Sequence, residues 1–154
     1  MLFAMLCTAP FVVMAAEDHP ELSEADEAYS AEQYEKAAAL YRKDAELGVI
    51  VAQVNLAFLY MDGLGVARDF QQAAAWFLRA AEQGSTEAQQ NLGALYQQGN
   101  GVARDLVEAD KWYTIAGAAD DAAALEQQMT PEQTQDARKR ADAWRANSKK
   151  QHGK

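Results

Sequence analysis

Residues Ala52–Glu87 read AQVNLAFLYMDGLGVARDFQQAAAWFLRAAEQGSTE, and residues Ala88–Ala123 read AQQNLGALYQQGNGVARDLVEADKWYTIAGAADDAA. The second stretch is the first written again at an offset of 36 residues. Ala52/Ala88, Gln53/Gln89, Asn55/Asn91, Leu56/Leu92, Leu59/Leu95, Tyr60/Tyr96, Gly63/Gly99 and Gly65/Gly101 match, as do Val66–Asp69 against Val102–Asp105, Ala73/Ala109, Trp76/Trp112 and Ala80/Ala116. A period of roughly 20 to 50 residues marks a stacked array of supersecondary units rather than a closed globule. That architecture shifts the functional expectation from catalysis towards binding.

Within each unit the apolar spacing is helical. Ala52, Leu56, Leu59 and Tyr60 fall at steps of three and four, which places them on one helix face, and Ala88, Leu92, Leu95 and Tyr96 repeat the pattern. The run ends at Gly63 (Gly99), with a second glycine at Gly65 (Gly101). Asp69 and Asp105 then read as N-caps, with Gln72 and Glu108 at the capping-box position. A second helix follows, carrying Ala73, Trp76, Phe77, Ala80 and Ala81 and ending at Gly84. Each unit is therefore helix, glycine turn, helix. Tyr60 and Trp76 are expected to fill the space between the two helices.

Upstream, Tyr34, Ala37, Tyr41, Ala45 and Gly48 precede Phe70, Ala73, Phe77, Ala81 and Gly84 by the same 36 residues. They predict the second helix of an earlier hairpin, over about 22–48, whose first helix (Leu22–Tyr29) is out of register and lacks the glycine turn. A divergent first unit suits the end of an array. The regular hairpins then run over about 52–84 and 88–120, inside a repeat domain of residues 17–129. Thr130-Pro131-Glu132-Gln133 starts a last helix, with an N-cap, a proline at the first helical position and a box glutamine. Ala137, Ala141 and Trp144 mark its inner face, so residues 130–146 read as a capping helix and the basic residues 147–154 as a disordered tail.

The aligned pattern Ala-x-x-x-Leu-(Ala/Gly)-x-x-Tyr-x-x-Gly-x-Gly-Val-x-x-Asp-x-x-x-Ala-x-x-Trp-(Phe/Tyr) stands at Ala52–Phe77 and Ala88–Tyr113. It resembles the Sel1-like repeat, a relative of the tetratricopeptide repeat, while the first hairpin looks more like a plain tetratricopeptide unit. The second copy departs at its end, with Gly117 for Ala81 and Asp120 for Gly84. The resemblance implies an all-α fold, an α/α superhelix (solenoid) of helical hairpins closed by the C-terminal helix, that serves as an adaptor for other proteins. It also implies an alternative, since a few exported relatives bind β-lactam or cell-wall compounds. Those relatives are stapled by disulfides, and this chain has a single cysteine, Cys7.

The first sixteen residues carry no charge and end in small residues before Glu17 and Asp18, which reads as a secretory signal peptide cleaved after Ala15 or Ala16. No Lys or Arg precedes the apolar run, so the segment lacks one element of a signal. A periplasmic or secreted location in a bacterial envelope is the expectation, with no stable membrane insertion after cleavage. Cys7 lies inside this segment, so the mature chain would have no thiol chemistry.

The net charge is −9, unevenly placed. From Asp136 onward there are seven basic and two acidic residues; the remainder has seven basic and twenty-one acidic. An acidic body repels phosphates, so nucleic acid is not an expected partner.

The residues offer little for catalysis, and no enzyme activity, metal or cofactor is expected. His19 and His152 are the two histidines, one near each end in segments expected to be disordered, so ligands do not cluster and no serine has a plausible histidine partner. Gly63-Leu64-Gly65 and Gly99-Asn100-Gly101 lack the strand and Lys-Ser/Thr sequel of a phosphate loop and are turns. Asp120-Asp121 reads as solvated helix-end charge. A protein or peptide partner is the stronger expectation. First helices line the concave side of such arrays, and the positions left over after the core stripe is assigned are Asp26, Tyr29, Val54, Phe58, Met61, Gln90, Ala94 and Gln97. Val54, Phe58 and Met61 are apolar beyond what the core face needs, which suggests a groove for an apolar or helical peptide; packing on the neighbouring hairpin is the alternative. Asn55 and Asn91 recur where they would bond either a peptide backbone or their own helix. Self-association through exposed array ends is a further possibility.

Overall fold

The structure, a computed structural model, describes residues 20–152, so the apolar segment 1–16 and His19 lie outside the described residues. Within them the chain forms helices α1 (Pro20–Ser30), α2 (Tyr34–Glu46), α3 (Ile50–Asp62), α4 (Phe70–Glu82), α5 (Thr86–Gln98), α6 (Leu106–Ala116), α7 (Ala119–Glu126) and α8 (Pro131–His152), and no strand. Each of α1 to α6 packs on its neighbours in the chain, so α1–α2, α3–α4 and α5–α6 are hairpins stacked in order. The first helices α1, α3 and α5 form one layer and the second helices α2, α4 and α6 the other.

The glycine turns explain the repeat. Gly63 and Gly99 close α3 and α5 in the left-handed region, at φ 71° and 74°, and donate to the Leu59 and Leu95 carbonyls. Gly65 and Gly101 have a different task. A Cβ at Gly65 would lie 2.1 Å from the Tyr34 carbonyl, and one at Gly101 2.1 Å from that of Phe70. The turn of each regular unit thus presses on the first residue of the preceding hairpin's second helix. The α1–α2 link, with no described helix before it to press on, has no glycine and turns at Glu32 with φ 59°.

Two polar devices repeat with the turns. Asp69 accepts from the backbone N–H of Gln71 and Gln72, and Asp105 from those of Val107 and Glu108. The buried amides of Gln53 and Gln89 each donate to the last-turn carbonyl of the helix before, Ala45 and Ala81, both at 3.1 Å. Between them they hold the joints where one hairpin passes to the next.

With the ends of α1 and α3 aligned, Glu24 and Glu27 stand where later units put Leu56/Leu59 and Leu92/Leu95. Those leucines are buried, while the glutamates are exposed. A polar outer face is what the first unit of a stack requires.

At the other end α8 lies on α6. Trp144 meets Trp112 edge-on at 6.1 Å, and Ala137 and Ala141 are fully buried. Arg140 bonds Glu108 and Arg145 donates to the Thr114 carbonyl. Thr130 and Gln133 complete a reciprocal capping box. Two expectations are corrected here. The segment after Ala118 holds an extra two-turn helix, α7, whose first turn carries Asp120 and Asp121 at its favourable positive end. The tail expected to be disordered from Asn147 continues α8 to His152. No glycine or proline interrupts it before Gly153, and Lys149 and Lys150 suit the negative end of a helix.

Candidate functional site

The expected groove lies on the first-helix layer. In α3 it is a stripe of Val51, Val54, Phe58 and Met61, and the matching stripe of α5 is Glu87, Gln90, Ala94 and Gln97. Asp26 and Tyr29 are the counterparts on α1. The C-terminal ends of α1 and α3 approach each other, where Asp62 of α3 acts electrostatically on Tyr29 of α1.

Behind each stripe stands one aromatic ring from the second helix: Tyr41, Phe77 and Tyr113, spaced 36 residues apart. Each passes a small residue of the first helix. At Gly93, a Cβ would lie 2.9 Å from the Tyr113 ring. The far end of each ring then meets the groove positions. The Tyr41 hydroxyl donates to Asp26 at 2.6 Å, and the Tyr113 hydroxyl to Gln97 at 2.9 Å. Phe77 has no hydroxyl and instead meets the Phe58 ring edge-on, centroids 5.1 Å apart. Burial and the Asp26 carboxylate push the Tyr41 phenol well above its usual range, so it stays a donor. The role of these rings escaped the sequence reading, which placed Tyr41 and Phe77 only in the repeat register.

The candidate residues therefore divide. Val54 is 3% exposed and belongs to the core, which corrects its assignment to the groove. Its neighbours on the stripe, Phe58 and Met61, pack against the core with one side and remain half-exposed on the other. Gln90 is exposed, Ala94, Gln97, Asp26 and Tyr29 half-buried. Asn91 donates to the Glu87 carbonyl one turn back and so serves its own helix, while Asn55 is 4% exposed, out of reach of a peptide, and its amide nitrogen has no hydrogen-bond partner among the described residues. Burial pushes the carboxyls of Asp62 and Glu87 above their usual range, with Arg68 opposing at Asp62.

Among the described residues two buried acids lie away from this layer, Asp44 on α2 and Asp110 on α6. Asp110 stands where the earlier second helices have Ala38 and Ala74, is fully buried, and has neither carboxylate oxygen hydrogen-bonded. Burial and the neighbouring Glu126 push its pKa up to about 6, against a smaller pull from Arg138. The mismatch with Ala74 at a core position was the signal for it. Among the described residues no three His, Cys, Asp or Glu side chains cluster as a metal would need, and no helix is long and apolar enough to cross a membrane.

The Sel1 repeat model matches residues 29–49, 50–85 and 86–121, together more than half of the chain. The chain belongs to the Sel1 repeat family. Solved Sel1-type structures agree with the stack. A protective antigen present in uropathogenic Escherichia coli strains, displaying an SLR fold, is 33% identical with a TM-score of 0.76 over 80% of this chain and 29% of its own. A Sel1 repeat protein from Oxalobacter formigenes is 31% identical with a TM-score of 0.58 over 80% of this chain and 54% of its own. The chain thus spans about a third and about half of these two relatives. No curated protein matches it in sequence. The family match takes in part of the first hairpin as a Sel1 repeat, where the sequence reading saw a plain tetratricopeptide unit. Sel1 repeats generally mediate protein–protein interactions and typically form non-catalytic scaffolds.

Proposed function

We propose that this Sel1 repeat protein is a non-catalytic adaptor that takes a protein or peptide segment along its first-helix layer, with Phe58 and Met61 of the middle hairpin as apolar anchors. The half-exposed pair Phe58 and Met61 carries this reading. Their counterparts in the next unit are Ala94 and Gln97, so the stack can stand without large apolar groups there. The Phe58 ring, seated edge-on against Phe77, loses little entropy when a partner covers it, and the flexible Met61 can adapt to the partner's shape. Stacking of units end to end is disfavoured by the same structure, because α8 covers α6 at one end and Glu24 and Glu27 make the other end polar.

Capture of partners on immobilised protein tests the reading. Phe58→Ala and Met61→Ala, each checked for an unchanged helical spectrum, should each weaken capture by about tenfold. Capture unchanged by both removes the groove. Export is part of the proposal and rests on the apolar run over residues 1–16. N-terminal sequencing of the protein from the periplasmic fraction should begin at Ala16 or Glu17; an intact Met1 in the cytoplasmic fraction overturns it.

A further inference from the structure

The charges of the hairpins are segregated by layer. The second helices carry both signs: Lys36, Arg42 and Lys43 on α2, Arg79 on α4 and Lys111 on α6, beside their acids. The first helices carry acids alone. α1 has Glu21, Glu24, Asp26 and Glu27, α3 has Asp62, α5 has Glu87, and no Lys or Arg occurs in any of the three. Basic groups from elsewhere reach the layer at a few points: Lys36 pairs with Glu24 at 2.9 Å, Arg42 donates to the Tyr60 hydroxyl, Arg68 of the first glycine turn lies over the Phe70 ring at 4.7 Å, and Arg104 of the second donates to the Gln97 carbonyl.

On the stripe this leaves a definite pattern. Phe58 and Met61 form an apolar centre on α3. Asp26 flanks it from α1, Asp62 adjoins it at the C-terminal end of α3, and Glu87 stands in the first turn of α5, at the register of Val51 and so at the other end of the stripe. Among the described residues neither Asp62 nor Glu87 lies within salt-bridge distance of a basic group; Glu87 is half-buried and Asp62 exposed at the helix end. A half-buried carboxylate such as Glu87 gains more from a neighbouring cation than a fully hydrated one does. An anionic partner would meet repulsion from the carboxylates of this layer, which among the described residues is offset only at Glu24 by Lys36 and in part at Asp62 by Arg68.

Resting on the adaptor reading above, we infer that the groove selects a cationic amphipathic peptide segment, with its apolar side chains on Phe58 and Met61 and its Lys or Arg side chains against Asp26, Asp62 and Glu87. The complementary charges set register and partner choice, while the apolar contact supplies the common affinity.

Two fluorescent peptides of equal length and identical apolar spacing, one with Lys and Arg at its polar positions and one with Glu, test this by anisotropy against the full chain. The cationic peptide should bind at least about tenfold more tightly, and its affinity should fall steeply as salt is raised, because exposed charges are screened. The double variant Asp62→Lys with Glu87→Lys should lose about tenfold for the cationic peptide and gain for the acidic one. These positions lie at the surface or its edge, and a thermal melt matched to the parent confirms that the variant folds. Equal binding of both peptides, each lost in Met61→Ala, overturns the charge selection and leaves the adaptor reading intact. Binding of neither peptide overturns both. Sedimentation of the protein alone provides the remaining arm: a salt-sensitive dimer that the cationic peptide disperses would assign the groove to the basic α8 of a second copy and overturn a separate partner.

Discussion

The hairpins α3–α4 and α5–α6 share their turns, caps and joints almost atom for atom. Asp69 and Asp105 cap alike, Gln53 and Gln89 bridge alike, and Gly65 and Gly101 meet the preceding helix at the same 2.1 Å. They differ wherever a side chain leaves that skeleton. Phe58 becomes Ala94, Met61 becomes Gln97, Phe77 becomes Tyr113 and Ala74 becomes Asp110. The first three exchanges turn an apolar groove segment into a polar one. The last places an acid under α7 and α8, where a regular unit would have met an alanine. A repeat thus separates two demands: the shared residues build the stack, and the unshared ones decide what each unit touches.

The largest effect should come from breaking what the two copies share. Gly65→Ala and Gly101→Ala each drive a methyl into a backbone carbonyl and strain a positive φ, and each should cost about 3 kcal/mol or more. Urea unfolding followed by circular dichroism measures both. A loss at one site only would show that the copies are not equivalent.

Next comes the difference at Asp110. The folded chain keeps the Asp110 proton up to about pH 6, whereas an unfolded aspartate releases it near 3.8. Between those values the folded form binds more protons, so stability falls as pH rises, by about 3 kcal/mol once pH exceeds 6. Asp110→Ala restores the residue of the other units. It should raise the unfolding midpoint at pH 7.5 and remove the Asp110 part of the pH dependence between 4 and 6, as read in a series of melts. Equal gains at pH 4 and pH 7.5 would trace the effect to packing rather than to charge.

A smaller contrast lies in the rings behind the groove. Tyr41→Phe removes a hydrogen bond to a carboxylate and should cost about 1.5–3 kcal/mol; Tyr113→Phe removes one to an amide and should cost about 1 kcal/mol. The reverse change Phe77→Tyr tests whether the Phe58 contact tolerates a hydroxyl. The smallest effect should be in the caps: Asp69→Ala and Asp105→Ala each lose about 1 kcal/mol, and by the same amount if the skeletons match.

The skeleton was legible in the sequence because two tandem copies cancel what is incidental and leave core, caps and turn glycines standing. The capping helix was legible through Thr130, Pro131 and Gln133, which act within one turn of each other. The site was less so. Val54, Phe58 and Met61 share one spacing, yet only in the folded stack does Val54 prove buried and the other two half-exposed. α7 escaped because eight residues rich in alanine carry little amphipathic signal. The charge segregation between layers needs the layers first: a linear sequence intermixes first and second helices, and only their pairing sorts Lys and Arg to one side.

The contacts of Gly65 and Gly101 also give the stack a direction in time. Each turn docks on a helix that precedes it in the chain, Tyr34 for one and Phe70 for the other. As the chain leaves the ribosome, each of these two hairpins therefore finds its landing place already made, and the stack can be laid down in the order of synthesis.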